Sequence, residues 1–328
     1  MRRAFTLLEL VFVVVIIGLL ANFGTSLLMT TYTSFTASTV NNRMQVNTDL
    51  TLKQISNRLR YRLRGSVIQR SAVGAVDITP IQVPFAGAGI PRDLEWIGID
   101  SDGLLGSAGT FAGWYQPTWS GFIDIGDAGA RASNAQAIPL PPFFLESPGS
   151  NFAQANTVIQ AVNSNPVAGA GTGIAQAAIF FVGENSNVLT GYGWQGAINT
   201  QFNVAAHPVF GLGTQLRDST GTSFSGVDIY ERYHLSWTAY SISLEDWDGD
   251  NQGPGPGPLR FDDLVLRYDY QPWNGQNANT GAARLLLTNV DSFKFKADGD
   301  VISVQICVNE DNFMNGGQYS LCEEIAIF

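Results

Sequence analysis

Few residues in this 328-residue chain are of a type and spacing that could do chemistry. Asp246-Trp247-Asp248-Gly249-Asp250-Asn251 sets carboxylates at alternate positions, the way oxygen ligands wrap a Ca²⁺ ion, and Asp262 and Asp263 follow closely enough to complete a shell. An EF-hand has its glycine at the sixth loop position and Glu at the twelfth, whereas here Gly249 is fourth and Gly257 twelfth. Asp246, Asp248 and Asp250 are thus candidate Ca²⁺ ligands, and a solvated acidic turn before Gly253-Pro254-Gly255-Pro256 is the other reading. Cys307 and Cys322 either close a loop, worth about 3 kcal/mol in a loop-entropy account, or stay as two thiols. Their spacing is too wide for a Cys-x-x-Cys redox pair. Gly191-Tyr192-Gly193-Trp194-Gln195-Gly196 spells a dinucleotide fingerprint without the strand-turn-helix setting that gives it meaning. His207 and His234, the only histidines, sit in no His-Glu-x-x-His pattern, and there is no Gly-x-Ser-x-Gly elbow. The chain reads as a non-enzyme with no cofactor beyond the candidate Ca²⁺; a hydrolase built on two carboxylates far apart in sequence is the remaining catalytic alternative.

Glu9 stands out by its surroundings. It lies in an apolar run, Phe5 to Met29, and no further charge appears until Arg43. As a helix, those residues reach about 37 Å, enough to cross a hydrocarbon core of about 30 Å. A carboxylate there costs roughly 2.5–3.5 kcal/mol on insertion scales and calls for a partner; a place at the headgroup boundary is the simpler account. Arg2 and Arg3 ahead of the run favour a cytoplasmic N-terminus and an exported body. The small residue Ala4 precedes the run instead of following it, so the run is expected to stay with the mature protein.

Beyond the run there is no proline before Pro80, and Leu28, Tyr32, Phe35, Val40, Met44, Ile55, Leu59 and Leu63 recur at helical spacing. This predicts one helix from Phe5 to Arg64, stopped by Gly65, with an amphipathic half over 30–66. Gly24 and the Thr-rich stretch Thr30 to Thr39 are expected to allow a bend. From residue 67 the pattern becomes short alternating segments between Gly, Pro, Asn and Asp. Expected strands are Leu94 to Ile99, Gly121 to Ile125, Ile179 to Val182, Tyr233 to Ile242, Leu264 to Tyr270, and the pair Val290 to Phe295 and Val301 to Val308. The stretch 126–216, poor in charge and rich in Gly, Ala and Asn, reads as an insertion of loops and short strands. The fold class is therefore α+β: a long N-terminal helix packed on an antiparallel body with a loop-rich insertion.

The whole chain has 18 Lys+Arg against 28 Asp+Glu, a net charge of −10. Residues 1–70 hold nine basic and two acidic residues (+7), which leaves nine and 26 (−17) for the body. An acidic body of this kind argues against general nucleic-acid binding, with a local basic stripe as the alternative. Arg58, Arg60, Arg62 and Arg64 crowd the predicted helix end, suited to its dipole and to the acidic body, with contact to a partner or polyanion as the alternative.

Ala4-Phe5-Thr6-Leu7-Leu8-Glu9-Leu10 resembles the processing site of type IV prepilins and type II secretion pseudopilins. The resemblance implies that residues 1–4 are a leader, that prepilin peptidase cuts between Ala4 and Phe5, and that Phe5 is N-methylated. It implies that Glu9 pairs with the Phe5 amine of a neighbouring subunit as helices pack into a filament. Ala4 replaces the usual Gly, and a four-residue leader is short. The pair Val290 to Phe295 and Val301 to Val308 is similar to the closing sheet of J-type or PilW-like minor subunits. The family also has a disulfide-bounded C-terminal loop, which Cys307 and Cys322 would supply. The location implied is the bacterial inner membrane and then a periplasmic or surface filament. A filament-tip binding module for a surface, DNA or exported cargo is the alternative.

Overall fold

The computed structural model describes residues 7–87, 89–106, 110–111, 114–126, 144–163, 173–183, 187–194, 207–218, 228–247, 263–313 and 317–328. Helix α1 runs unbroken over Leu7–Arg60, 54 residues or about 80 Å. The helix is continuous through Gly24 and the Thr-rich stretch. Thr30, Thr31, Thr36 and Thr39 each donate their hydroxyl to the carbonyl four residues earlier, so the Thr-rich stretch is satisfied within the helix. The helix ends four residues earlier than expected because the body captures the chain: Leu63 N donates to Ile97 O and Ile99 N to Tyr61 O. Gly65, at φ +85°, makes the turn that follows.

Packing on α1 also begins later than its sequence periodicity implies. Leu28, Tyr32 and Phe35 are exposed, whereas Met44, Thr48, Thr51, Leu52, Ile55 and Leu59 form a buried stripe at helical spacing.

Sixteen strands follow among the described residues: β1 (Ile68–Arg70), β2 (Thr79–Pro80), β3 (Asp93–Gly98), β4 (Thr110–Phe111), β5 (Trp114–Tyr115), β6 (Phe144–Glu146), β7 (Ala178–Phe181), β8 (His207–Leu212), β9 (Gln215–Asp218), β10 (Tyr233–Ser236), β11 (Thr238–Glu245), β12 (Asp263–Tyr270), β13 (Ala282–Leu287), β14 (Val290–Asp298), β15 (Val301–Phe313) and β16 (Gly317–Ile327). They form antiparallel sheets of order β13-β12-β11-β3-β1-β2, β10-β7-β8-β9-β6 and β14-β15-β16, with β4-β5 as a separate pair. The α+β class is therefore correct. Gly121 to Ile125 is not a strand; Phe122 makes only an isolated bridge to Arg232. The expected strand Tyr233 to Ile242 is two strands in two sheets, parted at the buried Trp237.

Three apolar cores divide the labour. The first joins the α1 stripe to Leu94 and Trp96 of β3, Ile242 of β11, Leu266 of β12 and the inner face of β14–β16, including Phe293 and Val304. The second lies within the stretch expected to be loops. There an 11-residue helix, Phe152–Val162, capped by Asn151 accepting from Gln154 N, packs Phe152, Ala155 and Ile159 against Ile179, Val209 and Leu216. Low charge in this stretch thus reflects a core as well as loops. The third core joins the two larger sheets, with Phe180 against Tyr192 and Trp273. Alternation along β7 sends Ile179 and Phe181 to the second core and Ala178 and Phe180 to the third.

The face of the first sheet turned away from α1 buries charge. Arg70 Nε donates to Glu95 Oε2 at 2.6 Å, its Nη2 to Trp194 O, and its Nη1 to Ala75 O. Tyr270 donates to Glu95 Oε1 at 2.8 Å and Ser241 to Asp93 Oδ1 at 2.6 Å, while Arg267 forks onto Glu245 at 2.8 and 2.5 Å. Three carboxylates thus share two guanidiniums. Asp93 carries the surplus: it is fully buried, its Oδ2 has no partner, and burial with Glu95 beside it pushes its carboxyl well above the usual range.

An acid raised above its unfolded value of about 3.9 takes up a proton on folding. Its contribution is complete below that value and is lost as pH rises toward the folded pKa. Asp100, pushed up to about 6 by burial against the bonds from Gly103 N and Trp119, acts in the same sense. Asp93→Asn should therefore melt at or above wild type at about pH 7.5 and show a flatter decline from about pH 5 to 8. Calorimetry of the two proteins across that range checks this, and a variant that melts lower at every pH would contradict a neutral Asp93.

Candidate functional site

The first feature is the uncovered half of α1. The most apolar 18-residue window of this helix has none of its residues buried, and the helix is long and apolar enough to span a membrane. Leu8, Phe12, Leu19, Phe23 and Leu27 are all more than half exposed. Among the described residues nothing covers this surface. Ala4 and Phe5 lie outside the described residues. Glu9 lies on the exposed N-terminal part of α1.

The arginines at the other end of α1 act inside the body. Arg62 donates to Leu59 O and Asp300 O, Arg64 pairs with Asp300 at 2.8 Å, and Arg58 donates to Gln54 O. Arg62 is buried, and desolvation and Arg64 lower its pKa against the opposing pull of Asp300. These contacts tie the last helical turn to the β14–β15 turn.

Asp246 follows β11 and Asp263 opens β12, so the acidic segment is the connection of a hairpin whose last registered pair is Glu245 and Asp263. Asp263 Oδ2 accepts from Trp247 N, and Glu245 is held by Arg267. Asp248, Asp250 and Asp262 lie outside the described residues. Among the described residues no three His, Cys, Asp or Glu side chains are grouped to hold a metal.

In the fingerprint-like segment, of which Gln195 and Gly196 lie outside the described residues, Gly193 and Trp194 serve packing. Trp194 Nε1 donates to Ser66 O, and Gly193, at φ +81°, lies so close to the Pro272–Trp273 backbone that a Cβ would clash. His234 is in β10 opposite Phe180, where burial lowers its pKa; the side chain of His207 lies outside the described residues.

Cys307 and Cys322 are bonded to each other. They are direct partners in the β15–β16 register, and Cys322 is exposed on the face away from α1. The bond closes a loop that the hairpin already brings together. Replacing both cysteines by serine should thus lower stability by about 3 kcal/mol or less while leaving the hairpin register intact. Thermal melting and amide exchange of the β15–β16 ladder check the two halves of this statement. Compared with family models, curated proteins and solved structures, the chain matches none, so its role must be sought in α1 and the body it carries.

Proposed function

We propose that this chain is a structural subunit of a type IV pilus or type II secretion filament, a minor pilin or pseudopilin most like the large J-type or PilW-like subunits. The observation that carries the reading is the division of α1. One half is apolar and uncovered, while the other half is built into the core of an antiparallel body. A monomer with such a surface needs a bilayer before assembly and neighbouring helices after it. The prepilin-like segment Ala4 to Leu10 adds the processing step, with the N-terminus cytoplasmic and the body exported. A disulfide in the body suits an oxidising compartment.

In this reading prepilin peptidase cuts before Phe5, and the new amine meets Glu9 of an adjacent subunit. Pairing compensates a carboxylate that is costly in hydrocarbon, so correct axial register is favoured over sliding. A second reading, a filament-tip binding module, is favoured by the separate core around Phe152, Ile179 and Leu216, which α1 does not require for its own packing.

Mass spectrometry of the mature protein should find N-methylated Phe5 at the N-terminus; an intact Met1, or a cut beyond Ala21, would remove the family basis. Glu9→Ala should leave membrane insertion and body melting unchanged but cut incorporation into filaments at least several-fold. Sedimentation of assembled filaments and immunoblotting of membranes measure the two effects separately, and normal incorporation would show that Glu9 is not an assembly contact.

A further inference from the structure

Arg70 holds two things at once. Within the sheet, its Nε donates to Glu95 Oε2 at 2.6 Å. Across the sheet face, its Nη1 donates to Ala75 O and its Nη2 to Trp194 O at 3.0 Å. Those carbonyls belong to segments 71–77 and 187–194, which carry Val73, Tyr192 and Trp194 to the third core.

Asp93 is the direct partner of Arg70 in the β1–β3 register. It is fully buried; its Oδ1 accepts from Ser241 at 2.6 Å and its Oδ2 has no partner. The titratable groups that face it are Arg70 from β1, Glu95 from β3, Glu245 from β11, and Arg267 and Tyr270 from β12. Arg267 is committed to Glu245 by two bonds, and Tyr270 donates to Glu95. Arg92, next to Asp93 in sequence, is exposed. The covering segments bring no cation: 187–194 has no charged residue, and 71–77 has only Asp77, which accepts from Ser71 N. An ionised Asp93 therefore has one buried cation to turn to, and that cation is Arg70.

We propose that Asp93 and Arg70 form a pH-operated latch. With Asp93 protonated, Arg70 clamps segments 71–77 and 187–194 to the sheet; with Asp93 ionised, Arg70 swings to the carboxylate and releases them. A neutral Asp93 leaves one buried O–H unpaired, whereas an ionised one is a desolvated charge that is far more costly until a cation approaches. Side chains directly opposite across an antiparallel pair have Cβ atoms about 4.5–5.5 Å apart, so the swing needs a rotamer change and no movement of the strands. The carbonyls that lose the guanidinium are satisfied again by water, which enters as the segments lift.

The direction follows from the environment. Burial and Glu95 hold the Asp93 carboxyl well above its unfolded value, so it folds with a proton and loses it as pH rises toward the folded pKa. The latch is closed in acid and opens on the alkaline side. Asp100, beyond the other end of β3, is pushed up to about 6 by burial, but its bonds go to Gly103 N and Trp119 Nε1, so its titration acts on other segments. The device needs nothing from the filament reading.

The test is amide exchange of the full chain in a non-ionic detergent, read peptide by peptide as protection factors between about pH 5 and 9. In wild type, protection over 71–77 and 187–194 should fall about tenfold or more, the change that one pKa unit of linkage supplies, while the β14–β16 ladder keeps its protection. Asp93→Asn, neutral throughout and close in shape, should hold both segments at their acid-side protection; Asp93→Ser takes its place if the amide does not fold. Equal losses in wild type and variant would assign the opening to other groups and overturn the latch. Wild-type protection that stays level, or that falls alike in β14–β16, would overturn it without any variant.

Discussion

Burial of one stripe of α1 is the interaction on which the body depends. Leu52, Ile55 and Leu59 are almost completely removed from solvent, and each such side chain contributes about 1.5–3 kcal/mol when fully buried. Their value is larger than that sum because the stripe is shared. It covers Leu94, Trp96 and Ile242 of the six-stranded sheet as well as Phe293, Val304 and Ile306 of the three-stranded one. Without the helix two apolar faces would open at once. This is why α1 cannot detach from the body locally, and why its free half is held as a rigid arm instead of a tether.

With its α1 face committed to apolar packing, the six-stranded sheet can only join the second lobe through its other face, where Ile68, Ile97 and Ala239 of the third core stand beside buried charge. Arg70, Glu95 and Tyr270 are buried there and satisfied by one another and by the carbonyls of Ala75 and Trp194. A buried ion pair of this kind adds little net stability over apolar packing, but removal of either partner leaves an uncompensated charge. Its structural consequence is directional: the bond to Trp194 O fixes the segment that carries Tyr192 and Trp194 into the third core. Apolar contact alone would allow that segment to slide.

What could be read from the sequence follows the same division. The membrane-length run, the helix beyond it and the pair Val290 to Phe295 with Val301 to Val308 are local patterns, and they reappear as α1, β14 and β15. The register that opposes Cys307 to Cys322 follows from that hairpin. The failures are non-local. Asp93-Leu94-Glu95-Trp96 alternates like a strand with one wet face, yet both faces are buried because the second lobe covers the acidic one. Trp237 parts two sheets although nothing in its neighbours marks a break. The helix Phe152–Val162 was hidden by a composition that suits loops, since its stability comes from the surface it packs against more than from propensity.

The stretch of α1 between Met29 and Arg43 then acquires a physical role in the proposed arrangement. It is uncharged, exposed for most of its length and unbroken, with its threonines bonded to its own backbone. With the apolar run in a bilayer, this segment places the start of the body about 21 Å beyond the run. Residues 43–328 carry 16 Lys+Arg against 27 Asp+Glu, a net −11, and an anionic lipid surface would repel them with a reach of about 8–10 Å at ordinary ionic strength. A spacer about twice that reach makes the repulsion negligible, so insertion costs the body nothing. Between copies the same geometry works the other way, since bodies carried on parallel helices come within a screening length of one another. Like-charged bodies packed side by side need compensation, and the excess of basic residues is gathered on the body half of α1, at Arg43, Lys53, Arg58 and Arg60.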